Sequence, residues 1–224
     1  MHFKQFMNKY PESNLLYSKM MYTNVSVGQV RGDKYRKMNA KEELWKSQNH
    51  LGYWHCDHEG IYSPRIRSEL YKNLINAEKL TRIKGVFMSS IISTDFDFDG
   101  KNELLYQSYD MNVYVHVNGG IVFELDYIPV FQNYANSLTR KREPYHKKTL
   151  IAKLMKKNQL KTHIDRYPKK LFCDHFFSHG ITFQDWKNNT ASESGDFLNT
   201  HYTLKDLKRE QRQIILERTG IIHL

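Results

Sequence analysis

Cysteine is scarce: Cys56 and Cys173 are the only two in 224 residues. They share no spacing with each other or with histidines, so they read as free thiols of a reducing compartment rather than a disulfide scaffold. Long apolar runs are missing too. No stretch approaches the roughly eighteen consecutive apolar residues that a membrane-spanning helix requires. The opening residues, MHFKQFMNKYPESN, lack the apolar run and small-residue cleavage site of a secretory signal. Together these absences set the expectation of a cytoplasmic protein. No G-x-S-x-G, Gly-rich phosphate loop or nucleophile–base pattern occurs either, which removes several common chemistries.

What is present suffices for a core, since 40% of the residues are hydrophobic. That allows one domain or two small ones. The formal net charge is +10, and one stretch carries it: residues 139–170 hold twelve Lys or Arg against two acidic residues. Such a run attracts polyanions by counterion release, but it equally describes a solvated, Lys-rich loop.

Residues 1–83 read mainly as helix. Phe3, Phe6 and Met7 share one helical face, and Tyr10 before Pro11 ends that turn. Pro11 to Asn14 opens a second helix with Leu15, Leu16 and Met20 on its buried side. A third helix is expected from about Ala40 to His50, presenting Leu44, Trp45 and Gln48. A fourth runs from Ser63 to Ala77, with Pro64 in its first turn and Ile66, Leu70, Leu74 and Ile75 as its apolar stripe. From residue 84 the signals turn to strand: Val86 to Ile92, Glu103 to Gln107, Asn112 to Val117 and Ile121 to Tyr127. Asn118-Gly119-Gly120 joins the last two as a hairpin. Further strands are expected at Lys170 to Phe177, Thr182 to Trp186 and Gln213 to Glu217. A sheet with so few strands leaves an apolar edge, which suggests a larger assembly or a homo-oligomer.

Three constellations bear on chemistry. Asp95, Asp97, Asp99 and Glu103 follow a D-x-D-x-D-G-x-x-E pattern around Gly100. Alternate carboxylates before a glycine let a tight loop turn several oxygens toward one hard cation such as Ca²⁺; an acidic turn with its carboxylates in water is the simpler alternative. The segment from Gln48 to Tyr62, QNHLGYWHCDHEGIY, mixes aromatic rings with polar donors, as a sugar site does. It reads equally as a helix junction with a core tryptophan. Its three histidines lack the H-E-x-x-H or C-x-x-C spacing of a metal site. Glu124 and Asp126 share one strand face roughly 6.5–7 Å apart. Glycosidases use carboxylate pairs, yet acids on a solvent-facing strand are the commoner explanation.

Several segments resemble glycoside hydrolase family 57 enzymes of the α-amylase and 4-α-glucanotransferase type. Tyr10-Pro11-Glu12-Ser13-Asn14, Glu43 to Gln48, Tyr53-Trp54-His55, Gly60-Ile61-Tyr62 and Pro64 to Arg67 are similar to the helical segment that follows the family's catalytic barrel. Asp95 to Glu103, Phe123 to Tyr127, Thr139 to His146, Arg166-Tyr167-Pro168, Asp174-His175-Phe176 and Gly195-Asp196-Phe197 are similar to its C-terminal, galactose-mutarotase-like β-sandwich. These matches fall in one order over nearly the whole chain.

The resemblance implies an α+β chain, with a helical subdomain over 1–83 and a partial antiparallel β-sandwich over 84–224. It implies an α-glucan or maltooligosaccharide as the ligand, contacted through Gln48, Tyr53, Trp54 and His55. It also implies a catalytic barrel as partner, because the family's two catalytic carboxylates lie in that barrel and not in these residues. The alternative is a non-catalytic carbohydrate-binding or assembly module. Cys56 to Gly60 is bulkier than the glycine-rich run the family places there. Within the family the basic stretch becomes a sandwich loop, which displaces the nucleic-acid reading.

Overall fold

The computed structural model describes residues 2–54, 60–143 and 164–223. Four helices come first: α1 (Phe3–Lys9), α2 (Pro11–Gln29), α3 (Lys34–Lys46) and α4 (Pro64–Thr81). Pro11 forbids the helical conformation at Tyr10, whose backbone (φ −120°, ψ 79°) makes the corner between α1 and α2. α4 begins as its sequence indicates, with Ser63 Oγ accepting from the Ile66 N–H and Pro64 in the first turn. Leu70, Leu74 and Ile75 of α4 close with Leu16 of α2 and Leu44 of α3 into the helical core. Helix α3 starts earlier than Ala40, because Asp33 caps it by accepting from the Arg36 N–H at 2.8 Å. It ends at Lys46, so Gln48 lies in the following turn, and Trp45 points to solvent.

The β part opens with an antiparallel meander of β1 (Ser90–Thr94), β2 (Glu103–Gln107), β3 (Met111–His116), β4 (Ile121–Tyr127) and β5 (Gln132–Asn133), paired in that order. β6 (Thr203–Lys208) and β7 (Gln213–Glu217) form a separate hairpin. The architecture is therefore α+β with antiparallel sheets. The β3–β4 turn needs its glycines: Gly120 has φ +60°, and a Cβ there would meet the Tyr202 ring at 3.2 Å. A register shift between Tyr114 and Val115 leaves Phe123 as the extra residue of a bulge, so Val122, Phe123 and Glu124 are all buried.

Four further expectations change. The strand expected from Val86 begins only at Ser90, after a turn at 84–86. Thr182 to Trp186 is no strand, because Thr182 and Asp185 cap each other and start a short helix, α5 (Phe183–Lys187). Lys170 to Phe177 makes only isolated bridges, Leu171 to Val122 and Phe177 to Glu193. Glu124 and Asp126 are neither solvated nor arranged for glycosidic chemistry, being 1% and 0% exposed. Their strand face lies against the helices, and α2 supplies the reason in Lys19.

Lys19 is 0% exposed, and its Nζ lies 2.5 Å from Asp126, 3.0 Å from Glu78 and 3.2 Å from Glu124. Asn112 of β3 donates to both Glu78 and Asp126 at 2.7 Å, and Asn133 of β5 donates to Asp126 at 2.9 Å. Arg82, just past α4, reaches Glu78 at 3.1 Å and Asn112 Oδ1 at 2.7 Å. Burial opposes the ammonium of Lys19, but Asp126 and Glu78 outweigh it and hold its pKa well above the ordinary value. Burial and the neighbouring Asp126 push Glu124 up to about 8. With Glu124 protonated, two cations face two carboxylates and the cluster is neutral.

Two predictions follow from this cluster. Lys19→Met leaves buried carboxylates uncompensated and is expected to destabilise the fold by about 3–5 kcal/mol in urea unfolding. For Glu124, only the unfolded chain ionises between its ordinary value of 4.5 and about 8, so its contribution to stability falls as pH rises through that window. Glu124→Gln should remove this slope and gain stability at pH 8. Parallel stability–pH curves for the two proteins would sink the assignment.

Candidate functional site

The acidic segment from Asp95 is the connection between β1 and β2, and its turns are built by its own carboxylates. Asp97 accepts from the Asp99 N–H at 3.2 Å, Asp99 from the Lys101 N–H at 2.8 Å, and Asp95 from the Gly100 N–H at 3.1 Å. Phe98 (φ 63°) and Gly100 (φ 87°) take the left-handed conformations that fold the loop back. Asn14 of α2 anchors it by donating to the Asp97 carbonyl at 2.7 Å. Oxygens of Asp97, Asp99 and Glu103 and a ring nitrogen of His116 converge, all lying within 4.8 Å of one another. Asp95 stays outside this group, and His116 enters it. The signal for His116 lay in strand pairing, since the register Leu104 to Val115 sets it beside Glu103.

The electrostatics of the cluster are those of acids crowded around one buried carboxylate, Glu103. Burial, then the nearby aspartates, push Glu103 up to about 7, although the Phe96 N–H opposes this. Burial and Asp99 raise Asp97 as well. Burial lowers His116, with Asp97 and Asp99 pulling the other way.

Two of the expected sugar-contacting residues, Gln48 and Tyr53, come together at a second place, on the helical unit. Phe3, Tyr17, Met20, Met21, Asn24, Gln48, His50 and Tyr53 line an open groove of about 460 Å³. Tyr53 is mostly buried, and its hydroxyl donates to the Ser47 carbonyl at 2.9 Å, so it shapes the groove wall from within. Gln48 is exposed, with its amide 3.8 Å from the Met20 sulfur. Trp54 is 37% exposed and lies flat on Phe6, with ring centroids 4.2 Å apart and planes 27° apart. His55 lies outside the described residues.

The start of the basic stretch folds back onto the helices. Glu143 accepts from Lys9 at 2.6 Å, Tyr10 at 2.7 Å and Tyr62 at 2.5 Å. Thr139 donates its N–H to Glu12 at 3.0 Å, and Lys141 donates to the Lys9 carbonyl at 2.7 Å. Residues 139–143 therefore brace the corner between α1 and α2; most of the remaining basic residues lie outside the described residues. Among the described residues no helix is long and apolar enough to cross a membrane.

A helical unit sealed onto an antiparallel sheet, with a groove on the helices and an acid-rich loop on the sheet, defines an α+β protein. Comparison with known proteins identifies the class. Residues 1–81 match the model of the alpha-amylase/4-alpha-glucanotransferase middle domain, and residues 95–163 and 150–223 match that of the C-terminal domain. The chain belongs to this family. It is 34% identical over 146 residues to alpha-amylase 1 of Dictyoglomus thermophilum, covering 65% of this chain and 21% of that protein. With a 4-alpha-glucanotransferase of Thermococcus kodakarensis the identity is 27% over 237 residues, covering 98% of this chain and 34% of that protein. The crystal structure of the 4-alpha-glucanotransferase from Thermococcus litoralis superposes with a TM-score of 0.83 at 25% identity, covering 99% of this chain and 32% of that one. The chain thus spans about a third or less of the length of these relatives.

The Glu143 junction can be tested directly. Its acceptor bonds, foremost that from Lys9, outweigh burial and lower its pKa, so its stabilisation is present above the ordinary carboxylate value of 4.5 and fades as pH falls through the lowered one. Glu143→Ala is expected to cost about 1.5–3 kcal/mol at pH 7, the usual value of hydrogen bonds to a charged group. In urea unfolding the gap to the unsubstituted protein should narrow on acidification.

Proposed function

We propose that this chain is the non-catalytic helical and β portion of an α-1,4-glucan-processing enzyme of glycoside hydrolase family 57, of the 4-α-glucanotransferase or α-amylase type. It works in the cytoplasm beside a catalytic barrel that carries the reacting carboxylates. Its part is to seat the glucan against the helical unit, with Trp54 as the platform, Gln48 as a hydrogen-bonding side chain, and Tyr53 and His55 completing the contact segment. The observation that carries this reading is Trp54, a ring left partly open to solvent yet fixed by stacking on Phe6. A flat ring held in one pose covers the apolar C–H face of a pyranose without losing rotamer freedom on binding. The groove lined by the preceding Tyr53, with Asn24, Gln48 and His50, supplies polar groups of the kind that reach hydroxyls.

The residues also fit a chain without hydrolytic chemistry of its own. A glycosidase needs two carboxyl groups flanking an accessible bond. The Glu124 and Asp126 pair is buried against Lys19, where no sugar reaches it.

Titration of the purified chain with maltooligosaccharides, followed by tryptophan fluorescence, tests the reading. Saturable binding is expected, and Trp54→Ala should weaken it roughly 3- to 10-fold, from a stacking contribution of about 0.5–1.5 kcal/mol. No response in the unsubstituted chain would favour a purely structural role. The chain alone is expected to release no glucose units from the same oligosaccharides. Measurable release or transfer would refute the non-catalytic assignment.

A further inference from the structure

We infer that the loop between β1 and β2 is a calcium site, in which Asp97, Asp99 and Glu103 supply the protein oxygens and His116 stands outside the coordination shell. The inference is independent of the glucan reading.

Glu103 points to an ion most directly. Its side chain is 0% exposed, one carboxylate oxygen is used by the Phe96 N–H at 2.7 Å, and the other, Oε1, has no hydrogen-bond partner. A buried carboxylate oxygen left without a donor is costly, and folded proteins supply one or place a cation there. Oε1 lies 3.6 Å from His116 Nε2, which Asp99 Oδ2 also approaches at 3.5 Å, and carboxylate oxygens of Asp97, Asp99 and Glu103 gather there within 4.8 Å of one another. Asp99 uses Oδ1 on the Lys101 N–H, which leaves Oδ2 turned toward the same point. Backbone amides thus hold the outer oxygens of Asp99 and Glu103 and fix the inner ones in place, as a preformed cation site requires.

His116 decides which cation. Its Nε2 lies 3.5 Å from Asp99 and 3.6 Å from Glu103, close enough to suggest a mixed nitrogen–oxygen site of the zinc or manganese kind. Its other nitrogen argues against that. Nδ1 accepts the Asn118 backbone N–H at 3.0 Å, so it bears a lone pair. A neutral imidazole carries one proton, which must then sit on Nε2, and a protonated nitrogen has no lone pair for a metal. Histidines that ligate metals do the reverse and donate from the nitrogen that faces away. The available donors are therefore carboxylate oxygens, and an all-oxygen set selects a hard ion. Magnesium demands near-octahedral geometry and dehydrates reluctantly, whereas calcium accepts irregular shells completed by water. A half-open loop with three carboxylates suits calcium. Nε2–H then stands beside the ligating carboxylates as a neighbouring dipole, 3.5 Å from Asp99 and 3.6 Å from Glu103. The ion would clamp the loop whose Phe96 packs on Tyr114 and Phe123 in the sheet core.

Isothermal titration of the full, chelator-stripped chain with Ca²⁺, Mg²⁺ and Zn²⁺ tests this, together with thermal melts in each ion. Calcium should bind one-to-one and raise Tm by roughly 5–10 °C at a hundredfold excess over Kd. Asp99→Asn, at a partly exposed position, should weaken calcium at least tenfold while leaving the chelated melt unchanged. In long-range ¹H–¹⁵N spectra, His116 Nε2 should stay protonated at calcium saturation. Zinc binding tighter than calcium with loss of the Nε2 proton would overturn the assignment of the ion. Identical melts with calcium and with chelator, and no heat of binding, would overturn the site itself.

Discussion

The fold depends on where a single ammonium group sits. Lys19 carries it from the middle of α2 to a point where α4, β3, β4 and β5 each present a polar side chain. Buried charges are tolerated only when paired and hydrogen-bonded on every side. Here that condition fixes the roll of α2 about its axis, the end of α4 and the register of the sheet at once. A one-residue slip in β4 would turn both Glu124 and Asp126 away from Lys19 and leave three strands' worth of polar groups unmatched. Apolar packing alone would permit several nearby arrangements of helix and sheet; the polar cluster selects one.

α2 can occupy this position because it is buried on two sides. Leu16 belongs to the core of the helices, whereas Leu15 and the half-buried Tyr22 belong to the core of the sheet. Tyr22 also donates to Gln107, which donates to Tyr114, and the Tyr114 ring in turn faces the Lys19 ammonium at 5.0 Å. The two cores therefore meet along one helix instead of across a linker. The groove at Gln48 and Tyr53 is walled on its other side by Tyr17, Met20, Met21 and Asn24 of this helix. Its shape is set by the same residue spacing that seats Lys19.

This explains what the sequence made legible and what it concealed. α4 was legible because one face is apolar and the other polar, with Ser63 and Pro64 marking its start. The β3–β4 hairpin was legible because its turn demands glycine. α2 shows no clean apolar stripe, since Ser13, Ser18, Lys19 and Thr23 are buried alongside Leu15 and Leu16. A lysine amid such residues reads as solvent-facing, and the acids on β4 then read the same way. The acids were misread for want of that lysine, because the match exists only in three dimensions. The acidic loop shows the same limit on a smaller scale. Its spacing brought out three of the converging groups, but Asp95 was drawn off to the Gly100 N–H and His116 was hidden on a neighbouring strand.

The pattern extends to how the helical surface keeps a partly exposed tryptophan. An open aromatic ring is normally dispensable and mobile, so its persistence in one orientation needs a structural cause. Phe6 supplies the stacking surface, and Phe6 is fixed because α1 is pinned at its end by Tyr10 and Lys9 on Glu143. Glu143 in turn lies at the close of a segment that Thr139 and Lys141 tie to Glu12 and Lys9. The pose of Trp54 thus rests on residues distant in sequence, reached through the packing of Phe6 in the helical core and the charge-assisted hydrogen bonds at Glu143. The same economy governs Lys19 and Glu103: in each case a buried carboxylate, by requiring a specific partner, fixes the geometry of what packs around it.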